Sequence, residues 1–130
     1  TLLADDPNIR VVFREWPILG DGSVFAARAA LAARKQEKYE AFHWELMTLR
    51  GRAEEASVLA AAEKVGLDLD ALRADMNAPD IEDHINESMR LAELLGFTGT
   101  PSFVIGDALV PGFVPNDELE RLVGEVREGE

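Results

Sequence analysis

The sequence contains no cysteine. Within these residues that excludes a disulfide, a thiolate metal site and a cysteine nucleophile. Histidine is nearly absent too: His43 and His84 are the only two. Neither sits in an HExxH pattern, so a zinc site would need carboxylates from distant positions. Positive charge is scarce, with 13 Lys and Arg against 25 Asp and Glu and a net charge of −12. That balance argues against nucleic acid and anionic membrane surfaces, both of which need a basic face. No apolar run approaches the roughly 20 residues of a membrane-spanning helix. Phosphate-cradling glycine loops and a Ser-His-Asp spacing are missing as well.

What is there describes a globular domain. The chain has 130 residues, 47% of them apolar, enough for one domain with a real core. Asp5-Asp6-Pro7-Asn8 reads as a turn, because Asx side chains bond their own backbone and proline presets φ. Thr1–Ala4 before it reads as the tail of a helix. Ile9–Trp16 alternates and is rich in Val and Phe, which predicts a strand ended by Pro17. Asp21 or Ser23 can cap the next helix. Val24–Ala33 is small or apolar all round except for Arg28, as expected of a helix packed on more than one side.

Helix then continues over Lys38–Leu49, with Tyr39, Phe42, Leu46 and Leu49 at spacings of three and four. Glu55–Val65 is a short amphipathic helix that Gly66 ends as a left-handed C′ residue. Asp68 caps Leu69–Met76, and Pro79 sits in the first turn of the helix that follows. That helix carries Ile81, Ile85, Met89, Ala92 and Leu95 on one face and stops at Gly96. Ser102–Ile105 and Ala108–Val110 form a hairpin through Gly106-Asp107. Pro115 opens a last helix with Leu119, Leu122, Val123 and Val126 on its apolar face. The layout is strand, helical block, hairpin, helix: an α/β chain, mostly helical, whose helices cover a small sheet.

The segment Gly99-Thr100-Pro101-Ser102-Phe103-Val104-Ile105-Gly106-Asp107 is the most specific stretch. Proline cannot donate to a ladder, so it fits only the first residue of such a strand or an edge. Together with Val11–Gly20, the helix Ser23–Ala30 and Phe42-His43-Trp44-Glu45-Leu46-Met47, this segment resembles the DsbA-like thioredoxin family over essentially the whole chain. The resemblance implies a single thioredoxin-like domain over residues 1–130. Its helical insertion would span about 22–96, and its cis-proline loop, hairpin and last helix about 97–128. It also implies protein thiol–disulfide oxidoreductase activity, a periplasmic or secreted location, and substrate proteins bearing thiols or disulfides as partners. Thr100 and Pro101 would be the substrate-binding residues, the backbone at Thr100 meeting an extended polypeptide by strand addition.

One departure qualifies the resemblance. In the family a strand and a Cys-x-x-Cys helix precede the equivalent of Ile9–Trp16, and this sequence begins at what reads as the end of that helix. The expectation is therefore an N-terminally truncated domain with no catalytic residue, no cofactor and no metal, whose sheet lacks its central strand. Backbone groups facing such a slot would each cost about 1–3 kcal/mol if buried unpaired. Three remedies are expected: a strand-swapped homodimer, a sheet closed up in a non-native way, or a separate N-terminal fragment. Two other readings stay open, a Cys-less thioredoxin-like module that holds polypeptide, and a relative of the kappa-type glutathione transferases and isomerases.

The remaining polar residues have plainer readings. Asp68-x-Asp70 and Asp80–Asp83 lack the central glycine and twelfth-position glutamate of a calcium loop, and capping accounts for Asp68. Arg14 and Glu15 read as a solvated pair near the family's active surface, and Arg28 as a residue that snorkels or pairs with an acid.

Overall fold

The computed structural model describes residues 6–18 and 20–129. Among them are six α-helices and one two-stranded antiparallel sheet. The helices are α1 (Asp21–Ala32), α2 (Tyr39–Met47), α3 (Glu55–Lys64), α4 (Leu69–Asp75), α5 (Pro79–Leu95) and α6 (Asn116–Glu128); the strands are β1 (Ser102–Ile105) and β2 (Ala108–Pro111). The chain forms two compact units. One is Glu15–Met89; the other consists of the flanks, up to Arg14 and from Arg90 onward.

The helical unit is built around α1. Its small side chains let neighbours approach from several sides, and Ala27, Ala29, Ala30, Leu31 and Ala32 are all buried. Helices α2, α3 and α4 pack on it. Phe42, Val58, Leu72 and Ile81 are the largest fully buried side chains of that core. Gly22 permits the closest approach: a Cβ there would fall 1.8 Å from the carbonyl oxygen of Ala53. Neither Asp21 nor Ser23 caps α1. The helix already starts at Asp21, and Gly20 takes the cap position at φ 90°. Among the described residues Arg28 meets no acid; it donates to the Met76 carbonyl at 3.3 Å, at the end of α4.

The expected run of helix from Val24 through Leu49 is broken. After α1 comes a 3-10 turn, Ala33–Gln36, then Glu37 in the left-handed region at φ 58°. The amide of Lys38 donates to Ala33 O (3.1 Å) and that of Glu37 to Arg34 O (3.0 Å). This is the paired 6→1 and 5→2 arrangement that ends helices, with glutamate where glycine is usual. The same arrangement ends α3, through Leu67 to Ala62 O and Gly66 to Glu63 O, and α5, through Phe97 to Ala92 O and Gly96 to Glu93 O. Asp68 caps α4 as expected, its Oδ1 accepting from the Ala71 amide at 3.0 Å.

In the other unit, β1 and β2 pair with Ser102 opposite Pro111 and Ile105 opposite Ala108. Gly106 and Asp107 are thus the two-residue turn, with Gly106 at φ 58°. Helix α6 packs on β1, and a Cβ on Gly106 would come within 2.8 Å of a Val126 methyl. Pro115 is the residue before α6, not a member of its first turn. The Asx turn is present, with Asn8 N donating to Asp6 Oδ1 at 3.0 Å. Arg127 then holds Asp6 at 2.5 Å and the Asn8 carbonyl at 3.2 Å.

Ile9–Trp16 is not a strand, which corrects the expectation from its alternation. A strand exists only through a partner, and among the described residues β1 pairs with β2 alone. The closed-up sheet is therefore not formed. Arg10–Arg14 avoid the cost of burial because these residues lie open: Val12 is 64% and Phe13 38% exposed. The helix expected at Thr1–Ala4 lies outside the described residues.

Candidate functional site

The loop between α5 and β1 carries the two residues singled out from the sequence. Gly96, at φ 74°, turns the chain out of α5. Ser102 closes the loop by donating its Oγ to the Gly99 carbonyl at 2.6 Å. Between them Thr100 and Pro101 are both exposed, and the peptide bond joining them is cis. Pro101 has no N–H to offer, so polar recognition here falls to the backbone of Thr100 and to the edge of β1. Among the described residues that edge has no strand partner on the side away from β2.

The helical unit holds a second concave feature, a groove of about 1000 Å³ between the Glu15–Pro17 segment, the start of α1, the end of α2 and the loop into α3. Trp16, Phe25, Leu46 and Met47 give it apolar walls, and Glu15, Asp21, His43, Arg52, Glu54 and Glu55 supply charge and polarity. The sequence suggested that Glu15 is solvated beside Arg14; it is instead half-buried and accepts a hydrogen bond from the phenol of Tyr39. Burial first, and then the bond to Glu15, raise the Tyr39 pKa well above its ordinary value. Tyr39 in turn stacks on His43 with ring centroids 6.0 Å apart, and His43 meets Trp44 edge-on at 5.0 Å. The Tyr39 phenol thus ties the segment that ends at Pro17 to α2.

His84 lies half-buried on α5. Among the described residues no three His, Asp or Glu side chains converge in a metal-binding group. Sequence reasoning passed over the groove and Gly22. The signal was available, since two glycines flank Asp21 at a helix start, where a single cap residue would serve.

This cysteine-free assembly of a helical block, an exposed proline loop, a hairpin and a covering helix defines a thioredoxin-like domain. Residues 1–126 match the model of the DSBA-like thioredoxin domain, and the chain belongs to that family. A thioredoxin-like oxidoreductase from Silicibacter pomeroyi DSS-3 is 60% identical, with a TM-score of 0.96; the match covers 98% of this chain and 73% of that one. The thiol–disulfide exchange protein alpha-DsbA2 from Wolbachia pipientis is 37% identical, with a TM-score of 0.82, over 88% of this chain and 64% of that one. The Na(+)/H(+) antiporter NhaA 1 of Salinispora arenicola is 34% identical over 106 residues, which are 80% of this chain and 16% of the antiporter. The chain therefore spans about a sixth of the length of that relative. Among the described residues no helix is long and apolar enough to cross a membrane.

Proposed function

We propose that this chain is the substrate-presenting portion of a DsbA-like thiol–disulfide oxidoreductase. Thr100 and Pro101 contact an extended segment of a protein substrate, and the redox cysteines lie outside these residues. The observation that carries the reading is the pairing of an exposed Thr100–Pro101 loop with a cysteine count of zero. Disulfide exchange requires attack by a thiolate on a disulfide sulfur, so the 130 residues can bind but cannot exchange. Thr100 holds the substrate backbone by strand addition, a mode in which main-chain hydrogen bonds supply affinity. Pro101 leaves that position without a competing donor.

A periplasmic or secreted location and substrate proteins with thiols or disulfides are part of the same proposal, supported by family membership. So is a second copy that lends a strand to the open edge of β1. The deciding experiment is the intact mass of the protein from its native cell, with and without thiol alkylation after reduction. A mass well above 14.3 kDa that gains two alkyl groups is the expected result. A mass of 14.3 kDa with no label would overturn the reading and leave a Cys-less polypeptide-binding module in its place. The isolated chain is expected to give no turnover in insulin reduction.

A further inference from the structure

We infer that the groove of the helical unit takes up a lysine or arginine side chain, flanked by apolar residues, from a bound polypeptide. The inference rests on the reading of this chain as a polypeptide-binding portion, and it names which segments it prefers. The walls formed by Trp16, Phe25, Leu46 and Met47 would bury apolar neighbours of the basic residue, but apolar walls alone do not select an occupant. Charge complementarity selects it. Glu15, Asp21, Glu54 and Glu55 line the groove and Arg52 is the one guanidinium among the lining residues.

The detailed chemistry agrees. A long basic side chain lays its methylene stem along apolar surface while its head reaches a polar rim. Trp16 on the groove wall is an aromatic ring, the kind of group that attracts a cation. Asp21 and Glu55 stand in the first turns of α1 and α3, where the helix dipole already favours a negative charge. That accounts for those two carboxylates without a ligand. It does not account for Glu15, which lies outside the described helices and bonds to Tyr39. A carboxylate that accepts one phenolic hydrogen bond keeps capacity for a second donor.

The test compares three blocked seven-residue peptides on the 130-residue chain, by calorimetry. One has a central lysine flanked by leucines; the others carry norleucine or glutamate in its place. The lysine peptide should bind about tenfold tighter than the norleucine twin, and the glutamate twin weakest. Glu15→Gln with Glu55→Gln should abolish that preference, Glu15→Gln keeping an oxygen for the Tyr39 phenol. Arg52→Gln at the exposed rim should widen it, which keeps the test valid if the double variant folds poorly.

Equal affinity for the lysine and norleucine peptides overturns the inference. So does binding of none of the three, or a lysine preference that neither the double variant nor Arg52→Gln alters. Thr100→Pro keeps the two readings apart: it removes a backbone donor from the loop of the other unit and should leave the lysine preference unchanged. Loss of binding to an extended polypeptide without loss of that preference supports the loop; if Thr100→Pro leaves polypeptide binding intact while the preference still vanishes in the double variant, the loop reading fails and the groove assignment stands.

Discussion

The two units of this chain are stabilised by different means. In Glu15–Met89 most of the buried apolar side chains form one cluster, from Ala27 on α1 to Ile85 on α5. In the flanking unit only Ala92 and Val110 are buried among the described residues, while Val12, Leu94, Val104 and Phe113 are more than half exposed. The helical unit closes a continuous core by itself, although Trp44 and Met47 stay more than half exposed. The flanking unit has the ingredients of a sheet, with β-branched residues, a tight hairpin and a covering helix, but it leaves much of its apolar surface in water. Local sequence suffices to close a helix bundle, whereas a strand depends on a neighbour that its own residues do not supply.

The largest effect expected from this contrast is on the helical core. Phe42 is fully buried at its centre, so Phe42→Ala should lower unfolding stability by about 3–5 kcal/mol, read by denaturant titration. Val110→Ala in the hairpin should cost much less. Amide exchange should rank the same way, slowest in α1 and fast in the hairpin, since opening free energy follows local burial. Equal protection in the two units would break the comparison. The next effect is at Gly22. A methyl group there must displace the Ala53 carbonyl, so Gly22→Ala should destabilise by about 1–3 kcal/mol through overpacking, despite alanine's better helix propensity.

Tyr39 sharpens the comparison by adding a polar tie to an apolar core. Its phenol bonds to Glu15, and burial raises its pKa. A raised native value means that the folded state holds the proton more tightly than the unfolded chain. The stabilisation is therefore fully present below the unfolded tyrosine value of about 10 and is lost as pH rises through the native value. Tyr39→Phe should destabilise at pH 7 by about 1.5–3 kcal/mol, the worth of a hydrogen bond to a charged acceptor. The gap between the two proteins should narrow above pH 10. A gap that does not change between pH 7 and 11 would mean the hydroxyl matters only for packing.

Much of the helical unit was legible because its punctuation is local. Gly66 and Gly96 announce the ends of α3 and α5, Asp68 announces the start of α4, and Gly106-Asp107 announces the hairpin. The proline loop was legible because Thr100-Pro101-Ser102-Phe103 is specific in chemistry and in order. Ile9–Trp16 misled for a physical reason: alternation reports that a segment suits a sheet, and pairing decides whether it joins one. The groove and the Glu15–Tyr39 bond were invisible because they join residues 24 positions apart, and no periodicity encodes a contact of that kind. Asp21 and Ser23 looked like caps from composition alone, yet the backbone set the start of α1 at Gly20.

The smallest expected effect concerns the one helix end that carried no sequence signal. Three helical segments finish in the same hydrogen-bond arrangement, and the residue in the left-handed position is Gly66, Gly96 or Glu37. Arg34-Lys35-Gln36-Glu37-Lys38 consists of good helix formers, so the sequence reads as continuous helix across the break. Tertiary ties override that preference. Gln36 exchanges hydrogen bonds with the backbone of Asp68, and Lys38 Nζ donates to the carbonyls of Val65 and Gly66 at 3.2 and 3.0 Å. The turn is therefore held by the loop between α3 and α4, at the cost of about 1–2 kcal/mol for a side chain in the left-handed region. Glu37→Gly removes that cost and gives back part of the gain through a freer unfolded chain. The expected net is a stabilisation of roughly 0.5–1 kcal/mol, seen as a higher melting temperature with the fold unchanged. A lower melting temperature would show that helix propensity at this position outweighs backbone strain, and that the break depends on glutamate as well as on the ties of Gln36 and Lys38.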